Sequence, residues 1–217
     1  MIPIRDTAPC ETRPLITWGI MGVCTLIFIT MQCVPDAIGY QLIHMFGMVP
    51  VRYSDPNWAQ HFGLPKDYGF SFISNLFLHS DWLHLLANLI FLYIFGDNVE
   101  DRMGHWRFLI YYLFCGAIAT ILQWYFVQDL PIPVVGASGA IAGILAAYYF
   151  MYPLEKVILW FPFLVPILIP VPAIAFLGIW VMMQLHNATE AAFFTHQTAG
   201  VAWWAHLGGF IAGCVCY

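Results

Sequence analysis

The sequence predicts an all-α polytopic membrane protein, a bundle of six transmembrane helices with a long structured loop after the first. Three observations predict it. Of the 217 residues, 61% are hydrophobic and only 9% are charged, where a soluble domain carries about a quarter charged residues. The charges are clustered, and the uncharged stretches between them are of membrane-spanning length. Prolines and short polar connections punctuate those stretches. No segment of soluble-domain size is left over, so one membrane domain covers residues 1–217.

The first span covers residues 14–34, stopped by Pro35. The second covers 82–98 and the third 106–127. The fourth runs over 137–152, closed by Pro153, the fifth over 172–186 and the sixth over 198–217. Residues 36–81 are too many for an idle connector and are expected to fold. Ile38 to Phe46 reads there as a short interfacial helix. The stretch from Leu154 to Pro172 carries Pro162, Pro166, Pro170 and Pro172. It cannot be a regular helix throughout and is expected at the membrane edge.

With the N-terminus in the cytoplasm, the inner side collects Arg5, Arg13, Arg102, Arg107 and Lys156, and the outer side Arg52 and Lys66. That split follows the positive-inside rule and puts both termini inside. Arg5 and Arg13 precede an apolar run without a small-residue cleavage site, so a retained span is expected rather than a signal peptide. There is no Arg/Ser-rich transit segment, which argues away from mitochondria, and a bacterial inner membrane is the expected location. Tyr217 is followed by no polar tail, and the natural chain is expected to continue. A net charge of -5 without a basic stripe argues against nucleic acid. The cysteines lack zinc-ligand spacing, and no metal or cofactor is expected.

Two polar residues in apolar sequence carry the chemistry. Ser138 opens the fourth span within Gly136-Ala137-Ser138-Gly139. A helix N-terminus there offers unpaired N–H groups that can hold a developing negative charge. The small residues around it also suit close helix packing. Ala140 distinguishes the motif from the elbow of soluble hydrolases, which ends in glycine. His206 lies about 12 Å into the sixth span at the helical rise of 1.5 Å per residue. An ionisable group at that depth is a functional candidate. Ala202, Ala205, Gly209 and Gly213 give its helix a narrow face that can bring the imidazole to Ser138. Trp203 and Trp204 are expected to point elsewhere on the helix.

His84 and Asn88 are four apart and share one helical face. Both can donate hydrogen bonds, which suits an oxyanion pocket. No carboxylate sits on that face at a spacing that would make a metal site. A Ser-His pair with such donors is sufficient for acyl transfer. A transporter would show internal repeats and more intramembrane charge, and the sequence has neither.

These residues resemble the rhomboid family of intramembrane serine proteases from about residue 70 onward. The resemblance rests on His84-x-x-x-Asn88, on Gly96 to Gly104 with Glu100 and Arg102, on Gly136-Ala137-Ser138-Gly139, and on Ala205-His206 followed by Gly209 and Gly213. It implies Ser138 as nucleophile and His206 as general base. It implies His84, Asn88 and the Ser138 N–H as oxyanion donors, with His79 organising polar groups and water nearby. It makes Glu100 and Arg102 structural and the long first loop partly embedded. The fifth span and the loop near 187–197 would be the gate through which membrane-protein substrates enter from the lipid bilayer. Inactive relatives that bind membrane clients typically lack the serine or the histidine, and both are present here. One position departs: many members carry an aromatic residue one turn after the serine, stacked on the histidine, where this chain has Ala142.

Overall fold

Among the described residues of the computed structural model, length and composition single out three helices that can cross a membrane: α1 (Leu15–Cys33), α6 (Trp82–Met103) and α7 (His105–Phe126). The structure describes residues 2–55, 57–61, 63–65, 67–161, 167–193 and 201–217. Two shorter apolar helices, α8 (Ser138–Met151) and α10 (Trp203–Cys216), and the 21-residue α9 (Ala173–Phe193) complete the bundle. Between α1 and α6 the chain forms α2 (Asp36–Phe46), α3 (Val51–Ser54), α4 (Trp58–His61), α5 (Ser71–Ser74) and a 3-10 turn at Asn75–Phe77.

Helix α8 is the axis of the bundle. Gly139 to Tyr148 are all buried in succession, as expected of a helix that is apolar on every side. Helix α1 is the opposite case. Thr17, Ile20, Cys24 and Phe28 form its only buried stripe, and the remaining apolar face is left for lipid. Asp81 starts α6 by accepting the His84 N–H at 2.9 Å, a regular N-cap. Gly104 then turns the chain into α7 with φ +82, while its N–H caps the Glu100 carbonyl at 2.7 Å. That conformation favours glycine.

The all-α expectation needs correction at one end. Strands β1 (Ile2–Asp6), β2 (Lys156–Phe161) and β3 (Ile167–Pro172) form a sheet in the order β1-β2-β3, with both pairings antiparallel. The prolines that rule out a helix over residues 154–172 do not rule out edge strands. Pro3 lies in β1 and Pro170 and Pro172 in β3, both at sheet edges, while the central β2 has none. Proline is tolerated at an edge because no partner requires its missing N–H. The sheet packs beyond the last turn of α8, where the Tyr148 hydroxyl donates to the Asp6 carboxylate. Burial holds Asp6 above its ordinary carboxylate range.

At that same end Glu100 is fully buried. Its carboxylate accepts the Ile16 and Thr17 N–H groups at 2.9 and 2.7 Å and lies 2.5 Å from His105 Nδ1. It thus caps α1, whose own N-cap position is Pro14 with no side-chain cap. Arg102 lies exposed nearby. In the long loop, Arg52 is buried and donates to the carbonyls of Met45 and Pro65, 3.9 Å from Asp67. Lys66 lies outside the described residues. A backbone bridge between Met48 and Val134 ties this loop to the approach to α8.

Candidate active site

Glycines bring Ser138 and His206 together. A side chain on Gly209 would collide with the Gly139 carbonyl oxygen, and one on Gly213 would fall 2.6 Å from the Gly143 oxygen. Helices α8 and α10 therefore pack backbone to backbone. Tyr111 of α7 reinforces the seam, its hydroxyl 2.8 Å from the Gly143 oxygen and 3.1 Å from the Gly213 oxygen. Gln123, also of α7, accepts the Ala205 N–H at 3.1 Å, an N–H that is shared with the Ala202 carbonyl at 3.0 Å in the first turn of α10.

Across this seam Ser138 Oγ lies 2.8 Å from His206 Nε2. Ser138 is the first residue of α8, and the chain reaches it through Gly136 at φ +124, whose N–H donates to the Asn75 carbonyl at 2.9 Å. Asn75 is fixed in turn, donating to the Ser71 carbonyl at 2.6 Å and facing Thr120 Oγ1 at 3.2 Å.

His84 brings its Nε2–Cε1 edge against Gly136, so that a Cβ there would sit 2.5 Å from His84 Nε2. His84 Nδ1 lies 3.0 Å from Ser80 Oγ, which also reaches Asp81 at 2.7 Å. The Ser80 hydroxyl has one proton for two acceptors. When it turns to His84 Nδ1, the neutral imidazole carries its own proton on Nε2 and can donate from there. The His84 N–H holds the Asp81 carboxyl below its ordinary range, joined by the Ser80 hydroxyl when its proton turns to Asp81. Asn88 donates one amide hydrogen to the His84 carbonyl at 2.8 Å, which leaves a second for a ligand. Ser138, His206, His84 and Asn88 all line one cavity of about 820 Å³. His79 is buried behind it, its ring edge-on to His84 at 5.1 Å. Burial pushes the His79 imidazole down to about 4.

Two side chains missing from the sequence reading touch His206. Gln184 of α9 places Oε1 2.7 Å from His206 Nδ1, and Trp180, one turn earlier, lays its ring 6.0 Å away. An amide inside an apolar span was the available signal. Trp203 also corrects expectation. It does not point elsewhere but meets the imidazole edge-on at 6.0 Å, because residues three apart on a helix are neighbours. Trp204 does face away, stacked on Phe126 at 3.7 Å. Residues 187–193, read as part of a loop, are helical. Residues 194–197 of the expected gate lie outside the described residues.

The family model described as the Rhomboid domain matches residues 66–217. The chain belongs to the rhomboid family. Among curated relatives it is 30% identical over 157 residues to Rhomboid protein 1, mitochondrial, of Saccharomyces cerevisiae, covering 69% of this chain and 42% of that one. It is 40% identical over 77 residues to Rhomboid-like protein 11, chloroplastic, of Arabidopsis thaliana, covering 36% and 27%. It is 37% identical over 79 residues to Rhomboid protease GluP of Bacillus subtilis, covering 36% and 15%. The chain spans about half or less of the length of the first curated relatives it matches. Family membership and the apolar helices together make this rhomboid chain an integral membrane protein.

Proposed function

We propose that this rhomboid is an intramembrane serine endopeptidase that cleaves transmembrane segments of other membrane proteins near the outer face. The observation that carries the reading is the 2.8 Å approach of Ser138 Oγ to His206 Nε2, in a cavity that opens at a helix N-terminus. His206 Nε2 takes the hydroxyl proton while Oγ attacks the scissile carbonyl carbon. The oxyanion is held by the Ser138 N–H with His84 and Asn88. His206 then gives the proton to the leaving amine, and the acyl-enzyme forms. A water, deprotonated by His206, attacks the ester carbon; as the acyl–Oγ bond breaks, His206 returns that proton to Ser138 Oγ and the carboxylate product leaves.

Six spans with the N-terminus in the cytoplasm are the arrangement that fits the basic residues, and a bacterial inner membrane is the proposed location. No cofactor or metal takes part. A client-binding protein without activity is the rival reading, and a complete serine–histidine pair gives it no support.

The test compares the wild type with Ser138→Ala and His206→Ala in liposomes, using a single-span substrate and a fluorophosphonate probe. Cleavage and labelling by the wild type alone are expected. Cleavage that survives Ser138→Ala would overturn the mechanism.

A further inference from the structure

We infer that Gln184 is the positioning residue that fixes the tautomer and orientation of His206, supplying from α9 what Ala142 cannot supply from α8. The inference rests on the proposed serine–histidine chemistry and adds a third member to it.

The Gln184 amide has a defined orientation. Its Nε2 donates to the Trp180 carbonyl at 3.3 Å. A carbonyl can only accept, so that contact assigns the amide nitrogen to the backbone side and turns Oε1 toward His206. Oε1, 2.7 Å from Nδ1, can likewise only accept. The proton of the neutral imidazole is therefore on Nδ1. Nε2 is left as a bare acceptor, and that is the atom 2.8 Å from Ser138 Oγ. The base is thus poised to take the serine proton.

Burial makes the contact consequential. Gln184 is 5% exposed although it sits in an apolar helix. A buried amide is costly unless its polar atoms are partnered, and both of its described partners are elements of this arrangement. Trp180 and Gln184 are four apart and share a face of α9. The indole tilts 36° to the imidazole and closes its side. Ala142 is fully buried but ends at Cβ, so it offers neither a ring nor an acceptor. A neighbouring ring and a hydrogen-bond acceptor thus both come from α9, and withdrawal of α9 from α10 removes both at once. Unlike a carboxylate, the amide adds no net charge, so it orients the base while stabilising the imidazolium less than a carboxylate would.

The experiment uses the full chain in liposomes, with Gln184→Met, Gln184→Glu and the Ser138→Ala control. Methionine keeps the volume and loses the acceptor; glutamate keeps the acceptor and adds charge. The rate of fluorophosphonate labelling reads Ser138 reactivity without requiring a transmembrane substrate to enter. Gln184→Met is expected to lower that rate and kcat by about 10- to 100-fold, with KM changed by less than about twofold. Gln184→Glu is expected to recover labelling, with the acid limb of its pH–rate profile moved to higher pH, because a carboxylate favours the protonated base. Wild-type labelling by Gln184→Met, with an unmoved pH profile, would overturn the inference and leave the protease reading intact. Should Gln184→Met lose its thermal unfolding transition, Gln184→Glu decides: an unmoved acid limb overturns the inference. A wild type that is not labelled at Ser138 sinks the protease reading and this inference with it.

Discussion

Gly209 and Gly139 meet where α10 crosses α8, and the contact has no room for a methyl group. A Cβ on Gly209 would strike the Gly139 carbonyl oxygen. Gly139 follows Ser138 directly, and His206 lies one turn before Gly209. Gly209→Ala therefore has to separate the two helices at the point where the dyad forms. We expect it to lower activity by at least about 100-fold, since a misplacement of about 1 Å can cost that much. Gly19 is the control. A Cβ there meets nothing within 4 Å, and alanine favours an exposed helix by up to about 1 kcal/mol. Gly19→Ala should keep full activity with an unchanged or slightly higher melting temperature. Equal activity in the two variants would refute the packing argument.

Gly136→Ala tests the other wall of the cavity. The position combines φ +124 with a Cβ that would sit 2.5 Å from His84 Nε2. Residues in such backbone regions cost about 1–3 kcal/mol, and the displaced imidazole can no longer face the cavity. The expected loss is about 10²–10³ in kcat, the range for removing one oxyanion donor. Cleavage of a single-span substrate in liposomes at saturating substrate would measure it. An active Gly136→Ala would mean that His84 is not held by this contact.

The pH dependence of stability should carry the mark of His79. Burial lowers its folded-state value to about 4, against an ordinary 6.5. Between these values the unfolded chain binds a proton that the folded one does not. This contribution is thus fully present above about pH 6.5 and is lost as pH falls toward 4. The size is of order 1–3 kcal/mol. His79→Phe should flatten this part of the melting curve in a pH series. A slope unchanged by the substitution would assign the acid sensitivity to other groups.

The helical bundle was legible because its signals are local. Apolar stretches gave the helices, and Ser138 and His206 stood out as polar residues within them. The sheet is not legible in the same way, because Pro162, Pro166, Pro170 and Pro172 signal only a broken helix. Lys156-Val-Ile-Leu-Trp-Phe161 carried its own strand signal, a run of β-branched and aromatic residues. Its partner Ile2–Asp6 is more than 150 residues away in sequence, and no local pattern reports such a pairing. Gln184 was missed for a related reason. It is 22 residues from His206 in sequence, and its role exists only once α9 and α10 pack together. Glu100 was noticed by resemblance, but its work as a cap became visible only when α1 was seen to begin at Pro14 without one.

That cap yields the last prediction. Glu100 holds two backbone N–H groups of α1 from across the bundle. Removing a buried partner leaves those donors unpaired, at about 1–3 kcal/mol each when water cannot reach them. Glu100→Ala should therefore destabilise the N-terminal helix before the rest. Protease nicking between α1 and α2 should accelerate, while Ser138 labelling at low temperature stays close to wild type, because the cap lies at the opposite end of α6 from His84. Glu100→Gln keeps one acceptor oxygen and should fall between the two. Simultaneous loss of labelling and of α1 protection would instead show that α1 and the catalytic helices unfold as one unit.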